Sequence, residues 1–262
     1  MIIENMDKTQ RAGSTPLPRS KWPSLLIIMR HAESELNRRR EQHEKNGTKE
    51  IFVAQTRDAD SPLTPLGREQ ARRTGRYLNA SEPFDTVYVS PHRRTRETAD
   101  LVLETLARRP PLVVEERVRE KEFGILENLT KHGVRETFPE EVKRKNLLGK
   151  YYYRPPGGES YPDVNLRLHS FLGTLVREHA GRRVLVITHS VVVLLFRRLI
   201  ERMDEKEVLE LDRQDEVKNA SLLIYALGSR DGREGVFVRK AWNLVPWAEV
   251  RGEPEEEQCV KD

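Results

Sequence analysis

Apolar positions in this chain come as short unbroken runs, separated by longer stretches in which they recur every three or four residues. Leu25-Leu26-Ile27-Ile28-Met29 is the first run, Thr86-Val87-Tyr88-Val89 the second and Val184-Leu185-Val186-Ile187-Thr188 the third. A strand buried on both faces has no polar side to show, so each run predicts an inner strand. Residues 221–227 and 236–238 predict two further strands. Between the runs, Thr64-Pro65 places a capping hydroxyl before a proline at the first helical position and opens a helix over residues 64–78. Ser160-Tyr161-Pro162-Asp163 resembles a capping box, and after it Val164, Leu168, Phe171, Leu172, Leu175 and Val176 fall on one face. Residues 191–203 are apolar first and charged later, as in a helix that begins against a core. Strands alternating with helices predict an α/β fold of three layers, a largely parallel central sheet with helices on both faces.

The ends and one internal stretch depart from this rhythm. Residues 1–23 hold three prolines without periodicity and read as a mobile leader, and residues 251–262, dominated by Glu, read as an acidic tail. Residues 24–250 read as a single domain, and a chain of this size buries roughly three-quarters of its unfolded surface. Within it, residues 120–158 carry scattered charge, five glycines, the triplet Tyr151-Tyr152-Tyr153 and Pro155-Pro156. The stretch is either a lid or substrate insertion or a helical insertion that only shields core.

Charge narrows the partners. With 46 basic and 42 acidic residues the net charge is only +4, although basic residues cluster at Arg38-Arg39-Arg40, Arg72-Arg73, Arg93-Arg94 and Lys143-Arg144-Lys145. Aromatic residues make up 6% and do not interleave with the basic ones, which argues against nucleic acid and leaves a small anionic molecule as the expected partner. A lone cysteine, Cys259, allows neither an intrachain disulfide nor a Cys-based metal site. The longest apolar run, from Val191 to Phe196, is far too short to span a bilayer, and residues 1–23 lack the apolar core of a signal peptide. No membrane association and a cytoplasmic location are therefore expected; oligomeric state is not legible.

The candidate chemistry lies just past the three inner strands. Arg30-His31 follows the first, Ser90-Pro91 and then Arg93-Arg94 follow the second, and His189 follows the third. Ligands in open α/β sheets sit beyond the carboxyl ends of the strands, so two histidines and at least two arginines would converge there. The guanidinium fork matches phosphate oxygens, and neutral imidazole is a competent nucleophile toward phosphorus. Passing the phosphoryl group through the protein in two steps needs no metal and no cofactor, and none is expected. His43, His92, His132, His169 and His179 share no metal-ligand spacing and read as surface or packing residues. Arg93 reads as facing solvent or substrate rather than phosphate, and Arg38-Arg39-Arg40 reads as a solvated helix face, with a role in drawing anionic substrate as the alternative.

The chain resembles the histidine phosphatase superfamily, also called the phosphoglycerate mutase-like family. The resemblance runs through Met29-Arg30-His31-Ala32-Glu33-Ser34-Glu35-Leu36-Asn37, Leu63-Thr64-Pro65-Leu66-Gly67-Arg68-Glu69-Gln70-Ala71 and Ser90-Pro91-His92-Arg93-Arg94-Thr95-Arg96-Glu97-Thr98-Ala99, and closes with Gly157-Gly158-Glu159-Ser160 and Val186-Ile187-Thr188-His189-Ser190. It implies that His31 is the phosphorylated nucleophile and that Arg30, Arg94 and His189 line the phosphate pocket. Ser34, Asn37, Ser190 and Lys131 are the implied substrate-binding residues. Glu120 matches the proton donor, with Glu122 the competing candidate. Ala32 and Ser190 stand where the family usually has glycine; neither removes a group the chemistry uses, and the Ser190 hydroxyl could cap a helix.

The same phosphohistidine serves two reactions. Lys131 stands where mutases of this family carry a lysine, whereas Phe123 stands where they carry a tyrosine, and the stretch from Tyr151 to Ser160 resembles the phosphatase-like branch. The expected function is a metal-independent phosphomonoesterase acting on a small phosphorylated substrate. The alternatives are a 2,3-bisphosphoglycerate-dependent phosphoglycerate mutase and an inactive binding protein on the same fold.

Overall fold

Among the residues described, 20–48, 57–230 and 232–248, six strands form one mixed sheet in the computed structural model. Most of the expected leader, the whole expected acidic tail and Cys259 lie outside the described residues. The strands are β1 (Leu25–Arg30), β2 (Thr86–Val89), β3 (Leu112–Val114), β4 (Arg183–Thr188), β5 (Leu222–Arg230) and β6 (Arg233–Leu244), in spatial order β3-β2-β4-β1-β5-β6. The pairings of β1 with β4, β4 with β2 and β2 with β3 are parallel. β5 pairs antiparallel with β1 and β6 antiparallel with β5, so the parallel character belongs to four of the six strands. Only residues 231–232 join β5 to β6, too few for the crossover that a parallel pair needs.

Alternation along the inner strands divides the core in two. Leu26, Ile28, Val184 and Val186 face one side, Leu25, Ile27, Met29, Leu185 and Ile187 the other. The first side is covered by α6 (Tyr161–Glu178), α7 (Ser190–Glu201) and α8 (Glu205–Gln214), which contribute Phe171, Phe196 and Val208. The second is covered by α2 (Pro65–Asn79) and α3 (Arg93–Leu103), through Leu78 and Val102. Each fully buried side chain of this kind contributes about 1.5–3 kcal/mol, and apolar contact on both faces is why the strand sequences show no polar alternation.

The helix starts follow their local chemistry. Thr64 Oγ1 accepts the Gly67 N–H at 2.9 Å with Pro65 at the first position, and Ser160 and Asp163 form a reciprocal capping box. Gly67 is needed for a second reason: a Cβ there would stand 2.0 Å from the Glu33 carbonyl oxygen, so its absence lets α2 lie against the loop that leaves β1.

Residues 20–23 are not loose. Trp22 packs against Phe237 of β6 with ring centroids 4.9 Å apart, and Ser20 Oγ donates to the Gly235 carbonyl at 2.9 Å, so the described end of the expected leader is tied to the sheet. The 120–158 stretch holds a 3₁₀ turn (Gly124–Leu126), α4 (Lys131–Thr137) and α5 (Pro139–Tyr152). Its two ends are stitched together: the Glu159 N–H donates to the Glu122 carbonyl at 2.9 Å, and the Ile125 N–H donates to the Pro156 carbonyl at 3.1 Å. Among the described residues no helix is long and apolar enough to cross a membrane.

Candidate active site

Strand register sets the site. Met29 pairs with Ile187 and Ile187 with Val89, so β1, β4 and β2 end level and release His31, His189 and Ser90 at one edge of the sheet. The His31 N–H donates to the Thr188 carbonyl at 2.8 Å, tying the first histidine to the strand that delivers the second. The two imidazole rings lie edge to face, centroids 5.2 Å apart.

His31 is 3% exposed, and its Nδ1 lies 2.7 Å from the Ala32 carbonyl oxygen. A carbonyl can only accept, so Nδ1 carries the proton and Nε2 keeps a lone pair. Burial first, then the Arg94 and Arg30 guanidiniums, hold the His31 imidazole well below its ordinary titration range. It is therefore neutral near pH 7, the state a nucleophile requires. The same causes, burial leading, hold His189 well below its ordinary range. His189 Nε2 lies 2.7 Å from Ser90 Oγ and 3.1 Å from His92 Nδ1, while its buried Nδ1 has no protein partner among the described residues.

Two arginines line the same cavity as His31. Arg30 donates through Nη1 to the Val217 carbonyl, and its buried Nε has no protein partner among the described residues. Arg94, 3% exposed, holds Asp58 in a two-pronged grip, Nη1 to the backbone oxygen at 2.6 Å and Nη2 to the carboxylate at 2.9 Å. Arg30, His31, Asn37, Arg94, Glu120 and Ser190 share a small cavity of about 60 Å³ with Asp58, Arg40 and Phe123. The first turn of α7 opens onto it through Ser190 and Val191, and the positive end of that helix favours an anion there.

Glu120, rather than Glu122, reaches this cavity. The Glu120 carboxylate accepts the Lys121 N–H at 2.9 Å, and Ser190 Oγ lies 3.5 Å from its other oxygen. Burial raises its pKa above the usual carboxylate value, Asp58 pushes the same way, and the Lys121 N–H and the arginines oppose them. A carboxyl held more protonated than usual suits a proton donor. Glu122 faces the larger cavity, with its carboxylate 3.6 Å from Arg119.

Several expected residues take other places. Ser34 is fully buried as the N-cap of α1 (Glu35–Asn46), in a capping box with Asn37, and does not line the cavity. Because Asn37 Oδ1 accepts the Ser34 N–H and an Asn219 N–H, its amide NH₂ is the end left for the cavity. Ser190 sits inside α7 with His189 at the cap, so its hydroxyl serves Glu120 instead of the helix end. Lys131 opens α4 and lines the larger cavity, not the phosphate-sized one. Arg93 pairs with Glu97 on the surface as expected, and Arg38 with Glu35, but Arg40 lines both cavities. His92, read as a packing residue, stands beside His189. Its place in the loop leaving β2 was the available signal; Asp58 had none.

The larger cavity, about 450 Å³, adjoins the small one through Arg40, Asp58, Glu120 and Phe123. Leu126, Leu129, Val134, Val142 and Tyr153 supply apolar walls, and Lys121 lies 4.5 Å over the Phe123 ring, its ammonium pushed down to about 8 by burial.

The family model described as histidine phosphatase superfamily (branch 1) matches residues 26–234. A 2,3-bisphosphoglycerate-dependent phosphoglycerate mutase of Parvibaculum lavamentivorans is 30% identical over 217 residues, covering 80% of this chain and 93% of the relative. The structure of Bacillus stearothermophilus YhfR aligns with a TM-score of 0.67 at 26% identity, over 86% of this chain and 99% of that one. A mycobacterial glucosyl-3-phosphoglycerate phosphatase, at 21% identity and a TM-score of 0.63, covers 84% of this chain and 99% of its own, and shares the fold.

Proposed function

This chain belongs to the histidine phosphatase superfamily, and we propose that within it the protein is a phosphomonoesterase working through a phosphohistidine on His31. Supporting this reading is a neutral imidazole with Nδ1 engaged and Nε2 keeping its lone pair, which shares the small cavity with Arg30, Arg94 and a carboxyl of raised pKa, while His189 is buried behind it with ring centroids 5.2 Å apart and does not itself line that cavity. His31 Nε2 attacks phosphorus as the ester P–O bond breaks, and Glu120 gives its proton to the leaving oxygen. The carboxylate so formed takes a proton from water as that water attacks the phosphohistidine. The P–N bond then breaks, releasing inorganic phosphate and restoring both residues. Arg30, Arg94, Asn37, His189 and the α7 N-terminus balance the charge on the transferring group. These steps call for no metal.

The large neighbouring cavity favours hydrolysis of a bulky ester. Its volume falls in the range of roughly 300–1,000 Å³ that suits ligands of drug-like size, well beyond a three-carbon acid, and its walls are mostly apolar. A second reading, phosphoglycerate mutase, is favoured by the names of relatives at 30% identity and by Lys131 on the cavity wall. Hydrolysis of an aryl phosphate by wild type and its loss in His31→Ala is the expected result; equal rates would end the phosphohistidine proposal. Rapid interconversion of 3- and 2-phosphoglycerate with catalytic 2,3-bisphosphoglycerate, without release of phosphate, would decide for the mutase.

A further inference from the structure

His92 is not needed by the steps above, yet it is 9% exposed and touches their machinery. Its Nδ1 lies 3.1 Å from His189 Nε2, and the rings stand nearly perpendicular, 80°, with centroids 4.8 Å apart. His92 also lines the larger cavity, and its Nε2 has no hydrogen-bond partner among the described residues. It is thus the side chain that links the substrate cavity to the second histidine of the phosphate site.

The chemistry of that link follows from proton counting. A phosphoryl group presents only acceptors, so His189 can bind it only as a donor. His189 Nε2 faces Ser90 Oγ and His92 Nδ1, and the geometry of the ring directs Nδ1 away from them. Donation to an anion therefore requires the Nδ1–H tautomer, with the Nε2 lone pair accepting. Ser90 cannot enforce this, because a hydroxyl rotates and serves either tautomer equally. A neutral imidazole couples its two nitrogens, donating at one and accepting at the other, so a donor that meets His92 Nε2 from the larger cavity fixes the proton on Nδ1. With its proton on Nδ1, His92 donates to His189 Nε2 and leaves its own Nε2 as an acceptor in the larger cavity.

We propose that His92 is a positioning residue that holds His189 in the Nδ1–H tautomer for phosphate, and that it offers the substrate's body a hydrogen-bond acceptor. The proposal rests on the phosphohistidine reading for its kinetic consequences, but not for the tautomer itself. A hydroxyl or amine of the substrate that donates to His92 Nε2 reinforces the productive tautomer.

Three proteins test it: wild type, His92→Leu, which fills the space without a donor, and His92→Asn, whose amide nitrogen falls near the position of Nδ1. The readouts are the ¹⁵N NMR shifts of His189 in the vanadate-bound state, vanadate affinity, and kcat and KM for an aryl phosphate. The expected result is Nδ1–H on His189 in wild type and in His92→Asn, and a growing Nε2–H population in His92→Leu. The leucine variant should also show about five-fold weaker vanadate binding and lower kcat/KM, one hydrogen bond's worth. An unchanged His189 tautomer and affinity in folded His92→Leu overturns the proposal. So does a folded His92→Asn that shows the loss, which keeps the test decisive should the leucine variant fail to fold. A wild type that hydrolyses no phosphomonoester would sink the phosphatase reading, while the tautomer comparison still decides the role of His92.

Discussion

Replacing Asp58 by asparagine should weaken the free protein and strengthen its grip on phosphate. Arg94 is buried with its fork filled by Asp58: the carboxylate at 2.9 Å and the backbone oxygen at 2.6 Å. The Arg94 side chain is 4% exposed and that of Asp58 23%. A hydrogen bond to a charged partner contributes about 1.5–3 kcal/mol. Partial exposure of Asp58 and survival of the backbone contact bring the loss to about 1–2 kcal/mol, a fall in Tm of roughly 2–8 °C for a domain of this size. In wild type an incoming phosphate must displace or share Arg94 with this carboxylate. The Asp58→Asn amide offers no competing charge, so the same 1–2 kcal/mol reappears as about 5- to 30-fold tighter phosphate or vanadate binding. Thermal melting with a phosphate titration reads both quantities, since saturating ligand stabilises by RT ln(1 + [L]/Kd). Equal or weaker phosphate affinity in the variant would refute competition between Asp58 and the anion.

Other perturbations read other parts of the site. Glu120→Gln should lower kcat by about 10²–10⁴-fold for alkyl phosphates but far less for p-nitrophenyl phosphate, whose leaving group needs no proton; equal losses would remove Glu120 as the acid. Folded His31, His92 and His189 all titrate below the usual imidazole value, His92 down to about 4 through burial and Arg94. Their unfolded forms take protons first, so stability should fall as pH drops below about 6.5. For His92 that loss spans the interval down to about 4, and melting curves of His92→Leu should be flatter there. Glu120, with its raised value, works the other way: its destabilising contribution grows above the usual carboxylate range and vanishes in acid. Gly124 has φ +54°, and a Cβ there would lie 2.1 Å from the Pro156 carbonyl oxygen. Gly124→Ala should therefore cost about 1–3 kcal/mol, and an unchanged Tm would show that the backbone there yields.

What the amino-acid pattern discloses depends on the range of the physics involved. The inner strands were legible because apolar helices cover both faces, leaving Leu25 to Met29 and Val184 to Ile187 without polar positions. β3 was not, because it is a three-residue edge strand, Leu112–Val114, too short an apolar run to set apart from its surroundings, and its side chains are exposed. His31, Arg30, Arg94 and His189 could be placed together because each lies at a strand end or a few residues past one. Ser34 illustrates the converse: the spacing Ser34-x-x-Asn37 is also that of a helix cap, and the cap is what the hydroxyl makes. Asp58 escaped notice since a 3₁₀ turn leaves no periodic trace, and although residues 120–158 stood out as an insertion, the side chains that they turn toward the larger cavity follow no period that the sequence displays.

The stitching between residues 122–125 and 156–159 has a consequence for how such a protein can change. Anchored at both feet, the intervening helices form a handle whose outline can be redrawn by substitution or lengthening while the histidines and arginines at the sheet edge keep their spacing. The two cavities are thereby walled for the most part by separate stretches of chain, and on the proposed phosphomonoesterase reading an engineer wishing to alter ester preference would graft new sequence between Glu127 and Pro155.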